Sequence, residues 1–330
     1  MKALSKRGWI TLLVMVALAI LPPFFLWNGQ AFYMDLATRL VILAIAGVSL
    51  NLLLGYGGMP SFGHAAFLGI GAYAVGIPAY HNTYGGFEIA ASYSGVYHIF
   101  LAVGLSALFA LLTGIICLRT KGVYFIMITM AFAQMIFYLF VSFEIYGGDD
   151  GLTIDTRSEL PLFNLDEPLQ MYMLCYGSLV AAMLIVRMVT RSQFGMVLQG
   201  AKDNNERVVT LGYSTFAYRL TAYVISGAMC GYAGALLGNF TTFISPEMME
   251  WTRSGELMFM VILGGAGATI GPVMGAAIFI LVEEVFSSFT TYWHLPFGIM
   301  LLGIVLFMRT GLLGFLTADR SKTKLKKEER

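Results

Sequence analysis

The chain has 330 residues, of which 58% are hydrophobic and 12% charged, with a formal charge of +1 and a mean hydropathy of +0.76. A soluble domain carries about 25% charged residues, so a water-soluble globule is excluded and lipid must be the solvent. At roughly 20 apolar residues per crossing helix, the length accommodates about eight to ten spans.

The N-terminus, MKALSKRGWITLLVMVALAILPPFFLW, begins basic and turns apolar, as a signal peptide does. Its apolar run reaches Trp27, and Pro22-Pro23 and bulky aromatics stand where small cleavage-site residues belong, so it reads as an uncleaved first span. Further apolar runs follow at 36–54, 62–80, 96–117, 123–143, 170–189, 216–238, 255–265, 270–286 and 294–309. Each is expected to be helical, because lipid offers no partner to free backbone groups. The expectation is an all-α polytopic membrane protein of about ten segments. The run 255–265 is short, and either extends back towards Pro246 or enters the membrane without crossing it. Cys117, Cys175 and Cys230 each lie inside an apolar run, without metal-ligand spacing, and read as small buried hydrophobes.

Gly-rich breaks interrupt this pattern at G55-Y-G-G-M-P-S-F-G63 and at G264-G-A-G-A-T-I-G-P272. Each runs into a helix with recurring small residues, which allow close helix approach in lipid. Gly-broken segments in the two halves of a chain also mark substrate paths. Helix packing alone accounts for the breaks about as well.

The polar stretch VLQGAKDNNERVVTLGY (197–213) stands between two apolar runs. Orientation follows from Lys and Arg. With the N-terminus in the cytoplasm, 17 of the 20 basic residues fall on that side, including Arg119, Lys121, Arg187, Arg191, Lys202, Arg207, Arg219 and the tail; only Arg39, Arg157 and Arg253 lie at or near the other. The polar stretch is therefore cytoplasmic, as are both termini. Val197, Leu198, Ala201, Val208 and Val209 can share one face of a single helix, with Lys202–Glu206 and Asp203–Arg207 as i,i+4 pairs. Such a helix either lies on lipid or fits a groove on a partner. The loop 144–168 faces outward and carries seven acids, Glu144, Asp149, Asp150, Asp155, Glu159, Asp166 and Glu167, against Arg157. It is either a solvated loop or a docking surface for an external protein.

No HExxH, GxSxG or phosphate-cradling GxxxxGK[ST] is present. His64, His81, His98 and His294 lie near segment ends without ligand spacing, which suits hydrogen bonding better than metal binding. Deep ionisable groups are almost absent from the runs, with Glu256 and Glu283-Glu284 near segment ends, which argues against proton coupling. The neutral polarity of Asn51, Ser61, Thr129, Gln134 and Ser226 suits an uncharged or zwitterionic solute. A membrane chain with no engine and a partner-ready cytoplasmic segment points to an external engine. The competing reading is a self-contained channel for a small neutral solute such as urea or a short amide.

GYGGMPSFGHAAFLGIGAY (55–73) resembles the signature of LivM-type permeases of the branched-chain amino acid ABC importers. LRTKGVYFIMITMAFAQM (118–135), YGGDDGL (146–152), residues 191–238, residues 245–278 and RTGLLGFL (309–316) resemble later blocks of that family, in order. The resemblance implies a type II-like importer permease in the bacterial inner membrane, covering 1–316, with a basic cytoplasmic tail at 317–330. It implies a LivH-type partner permease, two cytoplasmic ATPase subunits that hold the ATP and magnesium, and a periplasmic solute-binding protein. No cofactor on this chain, no metal and no nucleic acid is expected. The polar stretch becomes the segment coupling the chain to the ATPase, through Lys202, Asp203, Asn205, Glu206, Arg207, Leu211 and Gly212. Glu206 and Gly212 have the family's Glu-to-Gly spacing, although Arg207 and Val208 stand where alanines are common. The expected path is lined by Asn51, Gly57, Gly58, Ser61, His64, Gln134, Gly264 and Gly265. Asp149, Asp150, Asp155 and Arg157 are expected to meet the binding protein. Relatives also carry urea, amides and other acids; the urea branch tends to have Asn-Asn at Asp149-Asp150, which favours amino acids here.

Overall fold

The computed structural model describes residues 6–27, 29–85, 92–289, 292, 294–307 and 311–317. Residues 1–5, Arg309 and the basic tail from 318 onward lie outside the described residues, so that part of the charge pattern is known from sequence alone.

The helices are α1 (Lys6–Trp27), α2 (Ala31–Asn51), α3 (His64–Tyr84), α4 (Gly95–Cys117), α5 (Val123–Val141), α6 (Pro168–Arg191), α7 (Gln193–Asp203), α8 (Asn205–Thr210), α9 (Thr215–Thr241), α10 (Trp251–Gly264), α11 (Gly271–Phe289), α12 (His294–Phe307) and α13 (Gly311–Thr317). Every apolar run read from the sequence overlaps one of them. Among the described residues, seven helices are long and apolar enough to cross a membrane: α1, α2 with its continuation to Gly57, α4, α5, α6, α9 and α11. α3 is 21 residues long, but its glycines, tyrosines and histidines dilute its hydropathy. It is buried along most of its length, so its neighbours rather than lipid form its surroundings. α10 resolves the ambiguous short run: it starts at Trp251, after a 3-10 turn at Pro246–Met249, and so reaches back towards Pro246.

α2 is the hub, buried from Val41 through Leu53 with Leu43 alone half-buried, and packed against α1, α6, α9, α10 and α11. α3, α4 and α9 form a second tight group. A Cβ on Gly234 of α9 would overlap the Leu68 carbonyl of α3, and one on Gly71 of α3 would overlap the Gly231 carbonyl of α9. Lipid supplies no hydrophobic drive between helices, so this close approach supplies the van der Waals energy that holds them.

α1 carries a defect and its repair. Pro22 has no N–H to offer the carbonyl of Leu18, one turn back. The Tyr172 hydroxyl of α6 donates to that carbonyl, and Tyr176 donates to the Met15 carbonyl at 2.9 Å. The apolar helix is thereby pinned to the bundle, in part through the carbonyl that its own proline leaves free.

The loop 144–168 is a folded cap. It holds short 3-10 turns at Glu144–Tyr146 and Gly148–Asp150, and a strand β1 (Leu152–Thr153) antiparallel to β2 (Phe243–Ile244), with Leu152 opposite Ile244. Histidines bind the cap to the helix ends. His98 of α4 donates through Nε2 to the Ser92 carbonyl at 2.9 Å, and its Nδ1 accepts from the Ser158 hydroxyl at 2.6 Å. His81 of α3 bonds Tyr146 at 2.9 Å, and Asn239 of α9 accepts from the Ser158 N–H at 2.9 Å.

Candidate functional site

The Gly-rich breaks, more than two hundred residues apart in sequence, meet at one end of the bundle. Below Asn51, α2 widens into a π-turn, Leu52–Gly57, which redirects backbone carbonyls away from the helical ladder. Asn51 reaches across to the turn between α10 and α11. Its Nδ2 donates to the Ala268 carbonyl at 3.0 Å, and its Oδ1 accepts from the Gly267 N–H at 2.9 Å. Tyr56 adds a hydroxyl contact to Thr269 at 3.2 Å. Asn51 is fully buried, so this bidentate pairing satisfies a side chain and two backbone groups together.

The polar segment sits against the first break. Lys202 Nζ donates to the Gly55 carbonyl at 2.7 Å, a carbonyl within the π-turn. Gly58, at φ +66°, makes room for the Lys202 stem: a Cβ there would lie 2.7 Å from Lys202 Cγ. Arg219 of α9 donates through Nη2 to the Ala201 carbonyl at 3.0 Å, holding α7 from the other side.

The segment is not the single helix expected from sequence. Asn204 adopts φ −152° and ψ 98°, ending α7, and its Oδ1 accepts from the Arg207 N–H at 3.0 Å to start α8. The helix ladder is interrupted between Lys202 and Glu206 and between Asp203 and Arg207. Among the described residues neither expected pair forms an ion pair. Leu198, Ala201 and Val208 do face inward, whereas Val209 is exposed. The surface turned away from the bundle carries Asp203, Glu206, Arg207, Leu211, Gly212 and Tyr213, with Leu211 70% exposed. Gly212 closes α8 at φ +90°. Asn205 is half-buried and faces back towards the bundle.

The other expected path residues are mostly enclosed. Ser61 and His64 are fully buried, Gly57, Gly264 and Gly265 are buried, Gln134 is half-buried, and Gly58 is exposed. His64 Nε2 donates to Ser226 Oγ at 2.8 Å, and Ser226 donates in turn to the Ser49 carbonyl at 2.6 Å, tying α3, α9 and α2 together. Thr129 of α5 accepts from the Phe62 N–H at 3.3 Å, and Ser254 of α10 accepts from the Ala65 N–H at 2.9 Å. The chain between Pro60 and His64 is thus held from α5 and α10 while it doubles back into the bundle.

At the other end, all seven acids of the cap are exposed. Asp149 and Asp150 lie on a 3-10 turn, Asp155 accepts from the Tyr84 hydroxyl at 3.2 Å, and Arg157 turns inward to the Leu165 carbonyl at 2.7 Å. The sequence reading missed a set of ion pairs. Arg39 of α2 meets Glu283 of α11 at 2.9 Å, and Arg253 of α10 meets Glu256 at 3.0 Å and Glu247 at 3.2 Å. Only the i,i+3 spacing of Arg253 and Glu256 signalled any of this.

Comparison with known proteins agrees along the chain. The family described as the branched-chain amino acid transport system permease component matches residues 32–308. The high-affinity branched-chain amino acid transport system permease protein LivM of Salmonella typhimurium is 26% identical over 345 residues, covering 96% of this chain and 76% of the relative. A probable LivM of Methanocaldococcus jannaschii is 24% identical, covering 82% of this chain and 89% of the relative. The permease protein LivH of Escherichia coli is 29% identical over 136 residues, 40% of this chain. No solved structure matches.

Proposed function

Because the chain belongs to the family of branched-chain amino acid transport system permease components, we propose that it is the membrane half-channel of an ATP-driven importer of branched-chain amino acids. It works beside a homologous permease, as the likeness to both LivM and LivH supports. ATP and magnesium are bound by two partner ATPases, and an external binding protein delivers the solute. The distribution of basic residues along the sequence supports an orientation with α7, α8 and both termini in the cytoplasm and the acidic cap outside.

One observation carries this reading: the α7–α8 segment grips the first Gly-rich break through Lys202 and turns Asp203, Glu206, Leu211 and Gly212 away from the bundle. A docked ATPase therefore has an apolar knob and charges to hold, and a shift it imposes reaches the break through Lys202 and through Leu198, which packs beside Gly57. Asn51 passes the shift to the α10–α11 turn. The path lies beside the breaks, towards α5 and Gln134, and alternates its opening between the sides. The cap acids meet the binding protein. A self-contained facilitator is the weaker reading, because the relatives are subunits named for transport systems.

The test is reconstitution. The chain with its partner permease, both ATPases and binding protein should accumulate leucine on addition of ATP. The chain alone should hydrolyse no ATP and accumulate nothing. Accumulation by the chain alone, driven by a proton or sodium gradient, would overturn the proposal.

A further inference from the structure

The ion pairs at the cap end of the bundle have no part in the function described so far. Arg39 lies eight residues beyond Ala31, about 12 Å along α2 at 1.5 Å per residue. Its Nη2 holds both carboxylate oxygens of Glu283 of α11, at 2.9 and 3.2 Å, and Glu283 is mostly buried. Charge at such a depth is expensive, and two apolar residues would join the helices at less cost. Glu283 also acts electrostatically on Arg253 of α10, without an ion pair between them. Arg253 is occupied: Nη1 holds Glu256 at 3.0 Å and Nη2 holds Glu247 at 3.2 Å. Three carboxylates thus share two guanidiniums, and Glu283 lies within the field of both.

The elements around this cluster are joined unequally. Far from the cap, α10 and α11 touch backbone to backbone: a Cβ on Gly264 would overlap the Gly271 carbonyl, and one on Gly275 that of Met260. Towards the cap, α11 is half-buried or exposed from Leu281 onward. Among the described residues, the pair with Arg39 is the one polar contact that residues 281–289 make with another element. Glu247 belongs to a different body. It sits on the 3-10 turn Pro246–Met249, which follows the strand paired to the cap and seats Met249 against Gly69 of α3. Glu250, extended at ψ 145°, separates that turn from α10. We propose that Glu283 is a switching carboxylate through which the cap controls α11. With Glu247 on Arg253, Glu283 stays on Arg39 and α11 is latched to α2. When a docked binding protein shifts the cap and its turn, Glu247 leaves Arg253, Nη2 is freed and Glu283 crosses to it. α11 then swings from α2 towards α10 about its glycine contact, opening the outer end of the bundle between α2 and α11. A carboxylate that leaves one guanidinium for another keeps its charge paired, which an apolar contact cannot imitate. The proposal rests on the transport reading above, in which the cap meets the binding protein, and goes beyond it by naming what docking moves.

The test uses the assembled complex of both permeases and both ATPases in lipid. Exposed Phe32 of α2 and Val285 of α11 are replaced by cysteine and spin-labelled, the three native cysteines being buried. The distance between the labels is measured with and without leucine-loaded binding protein, and leucine uptake is measured on the same preparation. Loaded binding protein should bring in a second, longer distance. Glu247→Gln, at a mostly exposed position, should raise the share of the longer distance without binding protein, roughly threefold, the effect of losing an exposed ion pair. On a Glu283→Gln background, Glu247→Gln should change nothing, since no carboxylate is left to cross. If Glu283→Gln does not fold, the wild-type distances and Glu247→Gln decide the matter without it. A single unchanging distance in a preparation that takes up leucine would overturn the latch. So would a silent Glu247→Gln, which is what a merely structural ion pair predicts, or an effect of Glu247→Gln that persists undiminished beside Glu283→Gln. A complex that takes up no leucine fails at the transport reading, and the latch falls with it.

Discussion

Lys202 combines a long apolar stem with a charged tip, and both parts are used. The stem fills the space beside Gly58, and the tip holds the Gly55 carbonyl. Lys202→Met keeps the stem and removes the donor. A hydrogen bond to a charged group is worth about 1.5–3 kcal/mol, so the variant should insert and assemble while its transport falls roughly tenfold. ATPase activity should persist with less solute moved per ATP, read from paired uptake and phosphate-release assays. Asn51→Leu acts differently. It strands the Gly267 N–H and the Ala268 carbonyl together, at about 1–3 kcal/mol each, and should lower the thermal midpoint of the purified protein. Asn51 was legible in the sequence as a polar residue within an apolar run. Its partners were not, because they lie 216 and 217 residues away and spacing carries no information at that range. The same holds for Arg39 and Glu283, 244 residues apart.

The helices themselves were legible, because lipid forces apolar runs into helices and leaves few alternatives. Their irregularities were not. Local periodicity favoured one helix through the polar segment, yet Asn204 divides it, since its side chain offers the backbone an N-cap in place of the ladder. This division sharpens what substitution there should do. Gly212 sits at φ +90° with open space around it, so Gly212→Leu meets strain and not collision. A left-handed conformation costs a non-glycine residue about 1–2 kcal/mol, enough to loosen the end of α8 without unfolding the bundle. The expected result is normal insertion, weakened ATPase assembly and reduced transport, measured by subunit stoichiometry after co-purification. Glu206→Lys should do the same by charge reversal, and a segment that merely rested on anionic lipid would tolerate it. Wild-type stoichiometry in both variants would leave α8 outside the interface. Gly234→Leu is the contrast: a side chain there collides with the α3 backbone, so little folded protein should be recovered from the membrane.

At the scale of the whole molecule, the seven acids of the cap lie at one end, and Lys121, Lys202, Arg207 and Arg219 lie at the other. Neutralising Asp149, Asp150 and Asp155 together should lower transport at limiting binding protein while leaving basal ATPase activity intact. Exposed charges steer association more than they add affinity, so the loss should appear in the association rate and shrink with added salt. Equal rates and equal salt dependence before and after would show that these charges serve only topology. The β1–β2 pairing gives this end a longer reach than its size suggests. Leu152 and Thr153 of the cap are bonded to Phe243 and Ile244, which lead through the 3-10 turn Pro246–Met249 into α10. α10 spans about 21 Å at 1.5 Å per residue and ends at the turn that Asn51 holds, next to the π-turn that Lys202 holds. On the proposed function, a protein seated outside and an ATPase seated inside would pull on opposite ends of one strut. Binding free energies coupled through a shared element are reciprocal. If ATP tightens or loosens the grip on the external protein, that protein must shift the affinity for ATP by the same factor, and a thermodynamic cycle measured from either side must close on one number.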